Sequence, residues 1–206
     1  MMINPFEQKN KDKALIWDML VKRDIIAFTS QDWSLVSDDF NSEEFIGING
    51  IFKANPDEWV LDFPDIDSYK TEWLRQAGEF HDTDWIGDPV TNLFQCTILE
   101  QIDIRGDWAL AHKKFKGSIV KANGESVPMN WQSLYRCHRI DGYWKISGFT
   151  GYLPHWSEPT TYQENKKIQV PPNSKQHKTS GPYSPVLIVR PGTLVVISGQ
   201  ASIDMN

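Results

Sequence analysis

Between residues 92 and 152 apolar and polar positions alternate in long runs. The runs, at 93–99, 108–120, 127–140 and 143–152, are rich in Trp, Phe, Tyr, Val and Ile. Three turn signals separate them: Arg105-Gly106-Asp107, Asn123-Gly124 and Asp141-Gly142. Asn-Gly and Asp-Gly suit two-residue hairpin loops, because both central residues must tolerate positive φ. The pattern predicts a four-stranded antiparallel meander on which the rest of the chain packs.

Upstream the period changes. Ala14, Trp17, Leu20, Val21, Ile25 and Phe28 recur at helical spacing and predict a helix over 6–29. Asn4-Pro5 or Asn10 would start it. A short second helix is expected over 32–37, closed by Asp38-Asp39. Phe45 to Ile48 and Trp59 to Leu61 are strand-like. Ile66, Tyr69, Trp73, Ala77 and Phe80 lie on one face of a third helix capped by Asp65 or Asp67. The stretch 81–89 is expected to be a polar loop into the meander. After Tyr152 the chain turns rich in Pro, Ser, Thr and Lys, and 153–180 reads as a linker. A hairpin is expected over 186–197, about Pro191-Gly192.

Composition narrows the function classes. A net charge of -6 and pI near 5.3 disfavour nucleic acid or an anionic membrane as partner. No apolar run approaches the ~18 residues of a membrane span. Cys96 and Cys137 are too few for a disulfide framework, so a reducing, cytoplasmic setting is expected. The five His show no metal-ligand spacing, and no Walker loop, dinucleotide fingerprint or nucleophile elbow occurs. No cofactor is implied.

Three motifs, in order, carry a resemblance: Thr29-Ser30-Gln31-Asp32-Trp33, Arg105-Gly106-Asp107-Trp108-Ala109-Leu110, and Arg139-Ile140-Asp141-Gly142-Tyr143-Trp144-Lys145-Ile146. Over residues 6–152 the chain resembles the nuclear transport factor 2-like superfamily, including SnoaL-like cyclases and ketosteroid isomerases. The resemblance implies an α+β cone: three N-terminal helices against a curved antiparallel sheet, a ligand pocket at the open end, and a homodimer through the sheet's outer face. Separately, Gly181-Pro182-Tyr183-Ser184-Pro185 and Leu194 to Gln200 resemble the opening of the Rid family of enamine/imine deaminases. The later part, holding that family's key arginine, is missing, so no deaminase activity is expected of 181–206. The expected division is 1–152, a linker 153–180, and the incomplete segment 181–206.

Pairing outward from Asp141-Gly142 sets Arg139 opposite Trp144, Cys137 opposite Ile146 and Arg136 opposite Ser147. Pairing from Asn123-Gly124 sets His112 opposite Tyr135 and Ala111 opposite Arg136. Both faces are partly apolar, and periodicity does not decide which lines the cone. Analogy with ketosteroid isomerases favours Arg136 as inward, with Glu100 and Lys113 on its face. Arg136 would anchor a small carboxylate, or pair with Glu100 structurally. His112 beside Tyr135 would be an acid–base pair or a satisfied strand histidine. Glu44 lies near where ketosteroid isomerases carry their base. The functional reading is a small-molecule pocket, with cofactor-free acid–base chemistry on a small apolar or carboxylate substrate. A non-catalytic binding or dimerisation module is the alternative.

Overall fold

The computed structural model describes residues 2–154 and the backbone of 188–189 and 194–195. Residues 1–156 and 157–206 form two separate compact units. In the second, Ile188–Val189 pairs antiparallel with Leu194–Val195. The linker, the rest of the expected hairpin and the Rid-like motif residues around these pairs lie outside the described residues.

The first unit is α+β, with helices packed on one face of a six-stranded sheet. Its N-terminal helix runs over 11–29, as α1 (Lys11–Trp17), a π-helical turn (Asp18–Arg23) and α2 (Asp24–Thr29). It starts at Asn10, whose side chain accepts from Lys13 N at 3.0 Å, and not at residue 6. Asn4 instead closes a turn by accepting from Phe6 N and ties itself to Ala14 O and Asp18. The expected helix over 32–37 is two short 3₁₀ turns, Trp33–Leu35 and Ser37–Asp39. Asp32 caps the first through Ser34 N, and its local bonding competes with a regular helix.

Strands β1 (Ile46–Asn49) and β2 (Val60–Phe63) form an edge hairpin. Helix α3 (Ile66–His81) begins at Asp65, which accepts from Ser68 N, and buries Trp73 and Ala77. A further helix, α4 (Pro89–Cys96), occupies sequence expected to be loop and strand. Asp88 accepts from Thr91 N and Pro89 takes the first helical position. Strand β3 therefore begins only at Thr97 (Thr97–Arg105). Strands β4 (Trp108–Val120), β5 (Ser126–Ile140) and β6 (Tyr143–Pro154) complete the meander.

The sheet order is β2-β1-β6-β5-β4-β3, with β1 parallel to β6 and all other neighbours antiparallel. Irregular register between Leu99 and Gln101, and between Arg136 and Cys137 opposite Ile146 and Gly148, bends the long strands. The core lies between the helices and the inner face of this curved sheet. Leu20, Ile25, Leu99, Ile102, Ala111, Cys137, Ile146 and Phe149 are all buried there.

One turn changes the register. Gly124 N bonds Lys121 O at 2.8 Å and Lys121 N bonds Glu125 O at 2.9 Å. Ala122-Asn123-Gly124 is thus a three-residue loop with Gly124 at φ 86°, not a two-residue Asn-Gly turn. Each β4–β5 pair moves by one residue. His112 faces Leu134, Ala111 faces Tyr135 and Leu110 faces Arg136. The Asp141-Gly142 turn is two-residue as expected, so Arg139↔Trp144 and Cys137↔Ile146 form. The irregularity beyond them sets Arg136 against Gly148, not Ser147.

Candidate functional site

Side-chain alternation along β4 is decisive. Ala109, Ala111 and Lys113 are buried against the helices, whereas Trp108 and Leu110 are exposed on the other face. By cross-strand pairing Tyr135 and Cys137 share the inner face with Ala111 and Ala109. Arg136 falls on the outer face. It is exposed, and its nearest acceptor is Ile46 O at 3.3 Å. The expected inward placement of Arg136 is therefore corrected, and Lys113 lies on the opposite face from it.

The remaining expected residues scatter in the same way. Glu100 is exposed at the irregularity in β3 and makes no pair with Arg136 among the described contacts. His112 sits outside, its ring nitrogens 2.7 and 3.2 Å from the side-chain oxygens of Gln132 and Gln101. It is not beside Tyr135, because the three-residue loop puts the two on opposite faces. Glu44 also lies outside, 3.0 Å from His138 Nδ1, and the His138 ring stacks on Trp108 at 4.0 Å. Of the five expected residues, only Tyr135 reaches the interior.

A different set converges there. Lys113, 1% exposed, donates to Asp24 Oδ2 and to Leu20 O, both at 2.6 Å. The π-helical turn presents Leu20 O and Asp24 toward the same ammonium; such turns are frequent at functional sites. A buried ammonium is tolerated only when paired and hydrogen-bonded, and this one is both. It also lies 5.1 Å from the Phe115 ring centre and 6.0 Å from that of Tyr135.

Asp24, with its side chain 31% exposed, lines a small crevice with Leu20, Asp39, Phe40, Tyr69 and Tyr135. The free volume is about 10 Å³, room for about one water. Burial pushes both phenols well above their ordinary range, and the negative charge of Asp24 adds to it. Both therefore stay protonated hydrogen-bond donors through neutral pH. Asp24 Oδ2 is taken by Lys113, and Oδ1 has no donor among the described contacts. The rim is clamped by Arg23, whose guanidinium grips both oxygens of Asp39 at 2.7 and 2.9 Å.

Asp24 and Lys113 were legible in part. Asp24 interrupts the stripe Trp17, Leu20, Asp24, Phe28, a carboxylate on an otherwise apolar helix face. Lys113 continues the alternation Ala109, Ala111, Lys113, Phe115, a cation in a run of inward positions. Among the described residues no group of His, Cys, Asp and Glu could hold a metal ion, and no helix is long and apolar enough to cross a membrane.

No family model and no curated protein matches the chain. Solved structures similar to it include three described as NTF2-like. One, of unknown function, from Shewanella baltica shares 12% identity over 69% of this chain and 93% of its own, with TM-score 0.43. Another of unknown function, from Pseudomonas putida, shares 16% over 66% and 82%, with TM-score 0.45. A superfamily protein from Salmonella enterica shares 14% over 71% and 93%, with TM-score 0.45.

Proposed function

We propose that the first unit is a small-molecule-binding domain of the nuclear transport factor 2-like, SnoaL-like type, with its ligand site around Asp24. The carrying observation is one carboxylate, held from behind by buried Lys113, beside the phenols of Tyr69 and Tyr135 on one crevice. A small neutral ligand with an apolar body and one hydroxyl or carbonyl suits this set. Asp24 would accept its proton-bearing group and a phenol would donate to its oxygen. A carboxylate ligand is disfavoured, because both nearby cations, Lys113 and Arg23, are already paired and Asp24 is itself an acceptor. The same groups suit acid–base chemistry: Asp24 takes a proton from carbon or oxygen, and a protonated tyrosine stabilises the oxyanion. At about 10 Å³ the crevice must widen, by movement of lining side chains such as Phe40, before such a ligand enters. A thermal-shift screen of small phenols, ketones and carboxylic acids tests this. Neutral binders whose effect disappears in Asp24→Asn and persists in Arg136→Ala support it; carboxylic acids that depend on Arg136 contradict it.

A second reading is favoured by the outer face. Trp108 is 49% exposed, Leu110 46% and Ile46 40%, which suits a dimerisation module with a filled interior. Sedimentation separates the two readings, since a homodimer that binds none of the screened compounds would favour the second.

A further inference from the structure

A second opening lies between the β1–β2 hairpin, the middle of α3 and the end of β6. Its volume is about 490 Å³, against about 10 Å³ for the crevice. Pockets of about 300–1,000 Å³ accommodate small organic ligands. Phe52, Phe63 and Tyr152 supply aromatic surface, and Asp62 and Glu72 supply carboxylates; no lysine or arginine lines it.

The two carboxylates differ. Glu72 is taken up by Arg75 and Gln76, at 2.7 Å each. Asp62 has one oxygen 2.7 Å from the Asn49 amide, and no cation pairs with it among the described residues. Asn49 cannot turn away, because its own oxygen accepts from Ile51 N at 2.8 Å. Phe52 and Tyr152 line the same groove as this carboxylate, with ring centres 6.1 Å apart at 64°. Tyr152 also stacks on Trp131 at 6.4 Å, and its hydroxyl is tied to Gln76. Ile51, Phe52 and Tyr152 all have left-handed backbones, at φ 42°, 58° and 52°. For bulky residues this conformation is strained and needs fixing from outside. The bonds from Gly50 N to Gly151 O and from Phe52 N to Tyr152 O fix it.

We propose that this groove binds an organic ammonium ion, seated on Asp62 and against the rings of Phe52 and Tyr152. Aromatic faces attract a cation through their quadrupole, and an uncompensated carboxylate supplies the counter-charge. The site is separate from the Asp24 crevice and does not depend on its function.

The probe is choline, with 3,3-dimethylbutan-1-ol as its neutral isostere, titrated into the full chain and followed by NMR. Choline is expected to shift groove resonances saturably, and the alcohol to bind about tenfold more weakly or worse. Asp62→Asn should weaken choline by about tenfold. Phe52→Gly removes the ring while relaxing a left-handed backbone, so loss of binding in that variant does not reflect unfolding. Asp24→Asn should leave choline binding unchanged. The proposal is overturned if the alcohol binds as well as choline, if neither groove variant changes the affinity, or if no saturable response occurs below about 50 mM, a range that already spans weak millimolar binding.

Discussion

The two faces of β4 and β5 are built from similar chemistry and put it to different uses. Outside, His112, Arg136 and His138 lie near solvent and find partners in glutamine amides, a main-chain carbonyl and Glu44. Inside, one lysine and one aspartate meet at a helix defect beside aromatic rings, with the lysine fully buried. An exposed ion pair contributes little, since water screens each partner and can replace it. A buried one cannot lose a partner without leaving a charge unpaired. The difference is a matter of which side of a pleat a residue occupies, and a one-residue loop change decides that.

The comparison breaks most sharply on the paired cations. Lys113→Met should cost about 1–3 kcal/mol in urea unfolding, because Leu20 O loses its donor while Asp24, partly exposed, can turn to water. Arg136→Met should stay within about 0.5 kcal/mol. Near-equal losses would mean that the two faces are not energetically distinct.

Gly148 comes next, because it shapes the strand that carries both faces. It has φ 145°, and a side chain there would run into Ile46 O and the Arg136 guanidinium. Gly148→Ala should cost about 2 kcal/mol through strain. An unchanged melting temperature would show that the irregularity in β6 is soft.

The rest of the comparison was only partly readable from residues. Long alternating runs between turn signals predict the meander, and the stripe on α3 predicts its buried face; both rest on local periodicity. The π-helical turn is not visible in such a pattern, because Lys113, 93 residues after Leu20, supplies the hydrogen bond that its carbonyl uses. Helix α4 was readable from Asp88-Pro89 and from Val90, Leu93 and Phe94, but the strand formers from Cys96 onward mask its end. The candidate site was lost at Asn123-Gly124. A dipeptide suited to a two-residue loop sits in a three-residue one, and every inward assignment on β4 relative to β5 inverts.

Alkaline titration sharpens the contrast further. Tyr69, Tyr135 and Tyr152, three of six tyrosines, are raised by burial, whereas Tyr143 is exposed. Unfolded tyrosines ionise near pH ~10. Below that value the stabilisation from the buried phenols is fully present. As pH rises from there toward the higher folded values, the unfolded chain releases protons that the native one retains, and stability falls. Phenolate absorbance should rise in two steps, the later coinciding with loss of near-UV circular dichroism. A single early step would place these hydroxyls in solvent.

The smallest expected effect on stability is on the outer face. Leu110 is exposed and outside the Trp108–His138 stack, and Leu110→Ser should change unfolding free energy by about 0.5 kcal/mol or less. It should weaken self-association if that face joins two copies. A monomeric parent in sedimentation at micromolar concentration would contradict the homodimer.

The central claim is that ligands meet the Asp24 face of the sheet. Its most direct test follows tyrosine and arginine side-chain NMR signals while neutral binders from the screen are added to the full chain. The account predicts that Tyr69 and Tyr135 ring signals shift together, with the Arg136 guanidinium unmoved, and that Asp24→Asn abolishes the response. Shifts at Arg136 and His138 that survive Asp24→Asn would contradict it.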